Sequence, residues 1–314
     1  MRKHIDTIIY LLKNIYEKMP DLNIRSNRNL RFFIPKLTGI ENDIYYNFTL
    51  ERHTSYTFVR LMESVVDFAN EILFLRDIEI KAFTIIDYSK FRDTILYQIL
   101  NYIPNSKEAI IFFKNYRLYR KNNNRIPVQE LNDNELIKLE NMLNQLRKIG
   151  LLNSYKIDKT EKSIEIFAQD EQFFIGRWFE LCTLFEISKC FTEPVVVKSL
   201  KYRKGLYEGE IDICVLYDNN VIFVETKSSG NNKELLKKGL NKLKHDANLF
   251  GIPLSNCFLI TINDGTDSFK ENFEAFRMSY SDDEINILEF SEIKTKLYSY
   301  VNDNKRITSK EGEV

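Results

Sequence analysis

The sequence contains no long hydrophobic run. Apolar stretches such as residues 8–12 and 109–113 are only five residues long, whereas a membrane-spanning helix needs about 20. The N-terminus, Met1-Arg2-Lys3-His4, leads into a charged amphipathic pattern that is not typical of a signal peptide. We therefore predict a protein with no membrane partner.

Cysteine and histidine are also scarce, with four and three residues. The cysteines have no Cys-x-x-Cys spacing, which predicts buried free thiols in a reducing cytoplasm. The histidines are too scattered for a zinc site or a Ser-His-Asp triad. These residues lie at positions 182, 190, 214 and 257 for cysteine, and 4, 53 and 245 for histidine.

Glycine is nearly absent from the first half of the chain, where only Gly39 precedes position 150. This half therefore lacks the Gly-rich turns of a nucleotide-binding α/β domain. The 44% hydrophobic content excludes disorder over most of the length. Because 45 basic and 45 acidic residues cancel, only local clusters of charge can indicate a nucleic-acid partner.

A length of 314 residues predicts two or three domains. Helical patterns dominate the N-terminal region, and alternating helix and strand patterns dominate the C-terminal half. We predict an α-rich region of unknown role, a winged-helix-like domain, an α/β domain and a disordered tail. Their ranges are residues 1–103, 104–169, 170–302 and 303–314.

Residues 104–169 have the element order of a winged helix. A helix near 106–121 precedes a second helix that is capped by Asn132 or Asp133 and stopped by Gly150. Strands at 152–157 and 163–168 follow. The second helix could enter a DNA groove, but it carries as many acids as bases. We therefore favour a structural or dimerising role for this segment.

A strong hairpin pattern covers residues 210–226. Two apolar strands flank an Asp-Asn-Asn turn, and Glu225 and Lys227 share one face of the second strand. A turn of even length would place Asp212 on that face, opposite Glu225 or Lys227. A three-residue loop would instead pair Asp212 with Thr226 and break the cluster.

Two carboxylates beside an ammonium suit metal-assisted hydrolysis. Asp212 and Glu225 would hold Mg²⁺ or Mn²⁺, with water and substrate phosphate completing the octahedron. Lys227 would position the attacking water. The alternative is a half-exposed edge strand with alternating charges. Four apolar residues before Glu225 and the acid on the partner strand favour a site.

A third acid lies on the helix predicted near residues 170–190. At 100° per residue, Glu180 shares an apolar line with Phe173 and Leu184. A carboxylate in such a stripe needs a cation, a metal or a proton. Two alternatives for Glu180 are therefore open: a salt bridge with Arg177 or a nearby lysine, or a role in the site.

The helical acid, Gly209-Glu210-Ile211-Asp212 and Val224-Glu225-Thr226-Lys227 together resemble the PD-(D/E)XK nuclease superfamily. The stretch at 176–180 is similar to the nuclease domain of CARF-associated CRISPR ancillary nucleases, in which a winged-helix segment also precedes the nuclease. The resemblance covers about residues 170–262, and no CARF domain is recognisable.

The resemblance implies a restriction-endonuclease-like mixed sheet flanked by helices. Asp212, Glu225 and Glu180 would be metal ligands, and Lys227 would complete the catalytic set. It also implies a homodimer, since two sites are needed to cut both strands of a duplex, and a role in defence against foreign nucleic acid.

Basic clusters flank the hairpin on both sides, and counterion release from them would give salt-sensitive binding. A solvated, lysine-rich helix face is the alternative for residues 231–244. A further basic stretch, interleaved with tyrosine, covers residues 114–125. The residues that we predict to bind nucleic acid are Lys201, Arg203, Lys204, Lys237 and Lys242.

These patterns predict a metal-dependent endonuclease that hydrolyses phosphodiester bonds, with DNA favoured over RNA. The alternative is a catalytically inactive nuclease fold, or a winged-helix adaptor or regulator that binds nucleic acid without cutting it. A third hypothesis is that residues 1–103 sense a ligand or partner and gate the nuclease.

Overall fold

The computed structural model describes residues 78–86, 94–120, 125–191, 195–217, 220–263, 265–266, 268–281 and 283–300. The part of the predicted α-rich region before residue 78, and the tail predicted at 303–314, lie outside these ranges. Within them, no helix is both long enough and apolar enough to cross a membrane.

Six helices and a final helical segment at 293–300 are present in the described ranges. The helices are α1 (Ile95–Tyr102), α2 (Lys107–Tyr119), α3 (Asp133–Lys148), α4 (Trp178–Cys190), α5 (Lys233–Phe250) and α6 (Phe269–Ser279). The strands are β1 (Ile78–Ile86), β2 (Arg125–Pro127), β3 (Leu152–Asp158), β4 (Ser163–Ala168), β5 (Val195–Lys204), β6 (Tyr207–Tyr217), β7 (Asn220–Lys227), β8 (Cys257–Thr261) and β9 (Asn286–Glu289).

The main sheet has six strands in the order β1-β5-β6-β7-β8-β9. The pairs β1–β5, β5–β6 and β6–β7 are antiparallel, and β8–β9 is parallel. The predicted α/β class, with a mixed sheet flanked by helices, is therefore confirmed. A smaller sheet has the order β2-β4-β3.

The described chain forms two compact units that are discontinuous in sequence. The first contains β1, β5, β6, β7 as far as Val224, and α5 from Leu243. The second contains α1 to α4, β2 to β4, residues 225–242, β8 from Phe258, α6 and β9. The division into four sequence domains remains a prediction.

Aromatic packing forms the core of the second unit. Phe113 of α2 stacks on Trp178 with ring centroids 4.8 Å apart, and the Phe174 ring lies 5.8 Å from the Phe113 ring. A π-helical turn, Phe173–Arg177, precedes α4. Phe173, Phe174 and Trp178 are all buried, so this turn places consecutive aromatic residues and the first residue of α4 in one core.

The predicted elements of residues 104–169 are observed with small shifts in their ends. Asn132 caps α3: its side chain accepts from the Glu135 amide at 3.0 Å, and the Glu135 carboxylate accepts from the Asn132 amide at 2.8 Å. This capping box decides between the two predicted caps. The hairpin β3–β4 is confirmed, and β2 adds a strand that the sequence did not predict.

All four cysteines are free and buried, as predicted. Burial raises the pKa of the Cys214 and Cys257 thiols to about 12. Thiols with such a pKa stay protonated near neutral pH and are poor nucleophiles, so packing is their role.

Candidate functional site

The hairpin β6–β7 positions the predicted acids. Ile213 lies opposite Val224, and Tyr217 lies opposite Asn220. This register corresponds to a two-residue loop, one of the even-length alternatives. Asp212 and Glu225 are the next residues along their strands, and it remains a prediction that they face each other.

Glu225 is the most deeply buried of the predicted site residues, with 2% of its surface exposed. Its carboxylate accepts from two ammonium groups: Lys227 contacts Oε1 and Lys242 contacts Oε2. A buried charge needs such partners, because losing hydration without compensation costs several kcal/mol or more. The structure therefore holds an acid and two cations together at the end of β7.

Lys227 is fixed at its backbone, and its side chain is 24% exposed. The Lys227 carbonyl accepts from the Thr261 hydroxyl of β8 at 2.7 Å. The ammonium also donates to the Thr226 carbonyl at 3.1 Å. The strand end is thus held in place while the charged group reaches solvent, which suits a residue that has to contact substrate.

Gly239 of α5 makes room for the Lys227 side chain, and sequence reasoning did not identify it. A Cβ at this position would lie 3.0 Å from Lys227 Cε and 3.1 Å from Leu259 Cδ1. Glycine inside a helix costs about 1 kcal/mol relative to alanine. The close approach of the lysine stem explains why this helix contains a glycine.

Lys242 lies on the same helix, three residues after Gly239, and is 30% exposed. The sequence predicted it as one of several phosphate-binding lysines. In the structure its ammonium contacts Glu225 instead. Only the three-dimensional packing of α5 against the end of β7 reveals this contact.

Asp212 and Glu180 are both half-buried, on β6 and α4. The π-helical turn before α4 contains one more residue per turn than an α-helix. The projection from Phe173 therefore shifts by about 100°, whereas Glu180 and Leu184 remain on one face of α4. Arg177, the predicted alternative partner of Glu180, forms an ion pair with Asp170.

The residues present could hold a divalent cation only with few protein ligands. No group of three or more His, Cys, Asp or Glu side chains in the described ranges is arranged to hold a metal. Mg²⁺ is commonly held by one or two carboxylates, with water and substrate phosphate as the other ligands. Glu225 is a carboxylate of this type, but a metal ion would have to displace an ammonium group from one of its oxygens.

The other predicted basic residues are exposed at the surface. Lys201, Arg203 and Lys204 lie on β5, and Lys237 lies on α5. Arg203 Nε donates to the Glu208 carboxylate at 2.8 Å. Exposed pairs of this kind contribute at most about 1 kcal/mol, so a phosphate could replace the glutamate at little cost.

A second buried acid lies in the first unit. Asp246 of α5 is 1% exposed and accepts from the hydroxyl of Tyr202, which is equally buried. Tyr202 also packs on Phe250 at 5.0 Å. Burial, followed by the hydrogen bond to Asp246, raises the pKa of Tyr202 well above its ordinary value. Sequence reasoning missed this pair because Asp246 resembles an ordinary acid in a lysine-rich helix.

Gly209 on β6 fits the buried tyrosine closely. A Cβ at Gly209 would lie 2.3 Å from Tyr202 Cζ, a separation that side-chain atoms do not reach. The glycine before Glu210 in the predicted motif is therefore explained by packing of the tyrosine ring in the first unit.

Compared with known protein families and with curated proteins, the sequence matches none. Among solved structures, protein VC1899 from Vibrio cholerae has a TM-score of 0.46 and 13% identity. Can2 from Sulfobacillus thermosulfidooxidans in complex with cyclic tetra-adenylate has a TM-score of 0.46 and 16% identity. Each match covers 74% of this chain and 60% of the other. The chain thus spans well under two thirds of either length, and such TM-scores are too low to bear on activity.

Proposed function

We propose that this chain is a metal-dependent endonuclease that hydrolyses phosphodiester bonds in nucleic acid, in DNA more readily than in RNA. The observation that carries the proposal is the environment of Glu225. This carboxylate is almost completely buried at a strand end, and both of its oxygens contact half-exposed ammonium groups. Buried charges with perturbing partners are typical of functional sites.

In this proposal Asp212, Glu225 and Glu180 are the residues that would hold Mg²⁺ or Mn²⁺. The ion would supply Lewis-acid chemistry, polarising the phosphate and lowering the pKa of the attacking water. Lys227 would orient the attacking water through its ammonium and stabilise the negative charge that develops on the phosphate oxygens. Lys242 contacts Glu225 and would compensate its charge without an ion.

Substrate binding in this proposal uses the exposed bases of each unit. Lys201, Arg203 and Lys204 on β5, and Lys237 on α5, contact backbone phosphates. Cleavage should then weaken as salt is added, because each neutralised phosphate releases counterions. A homodimer would place two sites on a duplex, as a nuclease acting against foreign nucleic acid requires.

A second candidate function is a nucleic-acid-binding adaptor that has the nuclease fold without its chemistry. The absence of a three-acid group in the described ranges favours it, as do the ammonium groups on both oxygens of Glu225. This candidate predicts binding that does not depend on metal, and no hydrolysis.

Cleavage of supercoiled plasmid, single-stranded DNA and RNA in Mg²⁺, Mn²⁺ or EDTA separates the two candidates. We expect metal-dependent cutting by the wild type, and losses of about 100-fold or more in Asp212→Asn, Glu225→Gln and Lys227→Met, since each removes a group acting on the reacting atoms. Glu234→Gln and Lys238→Met, exposed on α5, are matched controls. Wild-type rates in all three site variants would contradict the proposal.

A further inference from the structure

A pocket that no part of the proposed mechanism uses lies in the second unit. It is a shallow cleft, and its non-atom space of about 260 Å³ includes open solvent. Lys114 and Arg117 of α2 line it together with Trp178, Ser228 and Ile262. Ser228 directly follows Lys227 in the chain, so the pocket adjoins a residue of the candidate site.

The polar groups of this pocket are all hydrogen-bond donors or hydroxyls. Arg117 Nη1 donates to Ser228 Oγ at 3.4 Å. Lys114 precedes Arg117 by three residues, so both side chains lie on the same face of α2. None of the residues that line the pocket is acidic. An anion entering it would meet two cationic groups and a hydroxyl, with no like charge on the lining.

The floor of the pocket is apolar and well packed. Trp178 is buried and stacks on Phe113, with ring centroids 4.8 Å apart. Ile262 is buried as well. Charged donors above a rigid apolar floor are weakly hydrated on one side, which strengthens their hydrogen bonds to a bound anion.

The donor set fits a phosphodiester. A guanidinium presents paired N–H groups that match two phosphate oxygens, and the ammonium and hydroxyl add single contacts. Consecutive residues have Cα atoms about 3.8 Å apart, so an anion held at Ser228 lies close to one held at Lys227. Neighbouring phosphates of one strand could therefore reach the two residues.

We propose that Lys114, Arg117 and Ser228 form a subsite for the strand phosphate next to the scissile one. The inference rests on the proposed function and extends it by assigning substrate contacts to α2. Two further cations of α2 form ion pairs: Lys107 with Glu135 at 3.0 Å, and Arg120 with Glu171 at 3.7 Å. Neither lines the pocket, so both provide controls on the same helix.

The test measures binding of a fluorescein-labelled DNA strand and its duplex to the full chain in EDTA, by fluorescence anisotropy, between about 50 and 200 mM salt. Arg117→Gln and Lys114→Gln should each weaken binding about 5- to 10-fold. In each variant the fall of log K with log salt should become shallower, by about 0.7–0.9 in slope, because one phosphate contact is lost. Arg117→Lys should keep the slope, and Lys107→Gln and Arg120→Gln should match the wild type.

Wild-type affinity and slope in both glutamine variants would overturn the subsite, even if the wild type cuts DNA. Binding without cutting by the wild type, with a shallower salt dependence in the variants, would support the subsite and refute the proposed hydrolysis.

Calorimetry with inorganic phosphate is a further test of the pocket. If phosphate binds the wild type but neither variant, while DNA binding is unchanged in both, the pocket holds a free anion and the proposal fails. If Arg117→Gln does not fold, judged by its thermal midpoint, the half-exposed Lys114→Gln decides the outcome.

Discussion

Glu225 and Asp246 are both almost completely buried acids, but the contacts described for them differ. Glu225 accepts from the ammonium groups of Lys227 and Lys242, whereas Asp246 accepts from the hydroxyl of Tyr202. The two ammonium groups compensate the buried charge of Glu225. A divalent ion that bound this carboxylate would have to displace at least one of them.

The surroundings of the two acids differ in the same way. Lys242 is 30% exposed, so its flexible stem can withdraw into water when another cation arrives. Tyr202 is held in place by the rings of Phe250 and Tyr207. We therefore propose a chemical role for Glu225 and a stabilising role for Asp246, although both are equally hidden from solvent.

Matched alanine substitutions test this assignment most strongly. Glu225→Ala should lower the cleavage rate by about 100-fold or more. Its free energy of unfolding should fall less than that of Asp246→Ala, because the partly exposed lysines can turn to solvent. Asp246→Ala should lower the free energy of unfolding by about 1–3 kcal/mol, because the buried Tyr202 hydroxyl loses its acceptor. Its cleavage rate should stay close to wild type. Urea unfolding and plasmid cleavage measure the two effects, and the reverse pattern would refute the comparison.

Lys242→Met should sharpen the contrast by removing one of the two cations at Glu225. Without its ammonium, Oε2 is available to a divalent ion, and repulsion between like charges is relieved. We expect Mn²⁺ to bind about tenfold more tightly, which corresponds to ~1.4 kcal/mol. Calorimetry with Mn²⁺ and no nucleic acid gives this number independently of activity. Lys238→Met on the exposed face of α5 is the control, and equal affinities in the two variants would count against exchange at Glu225.

Local patterns predicted the elements that carry Glu225. The apolar residues 221–224 and the Asp-Asn-Asn turn indicated the hairpin, and the observed register selected one of the turn lengths considered. The partnership of Lys242 with Glu225 was not predictable, because it joins positions 17 residues apart through the packing of a helix on a strand end. Periodicity identifies the faces of a helix but not the residue that each face meets.

Two other features show what the sequence reveals only in part. The π-helical turn at Phe173–Arg177 breaks the constant 100° step on which the projection of Glu180 depended. Strand β1 was not predicted, although its residues alternate in polarity from Ile78 to Lys81. Charged residues are typical of an edge strand, and β1 is at one end of the described sheet. The local sequence therefore predicted a regular α-helix near residues 170–190 and an α-rich region that included the residues of β1.

Tyr202→Phe should give the smallest effect, and its sign is set by the raised pKa of this phenol. Folding favours the protonated form, so the contribution is complete below the unfolded pKa of about 10 and is lost as pH rises from there towards the folded pKa. We expect the wild type to exceed the variant by about 1 kcal/mol at pH 7, and the difference to shrink above about pH 10. Urea unfolding of both proteins across this range measures the difference, and titrations of other tyrosines cancel because both share them. A difference independent of pH would show that burial and the hydrogen bond to Asp246 do not raise the pKa of Tyr202 in the folded protein.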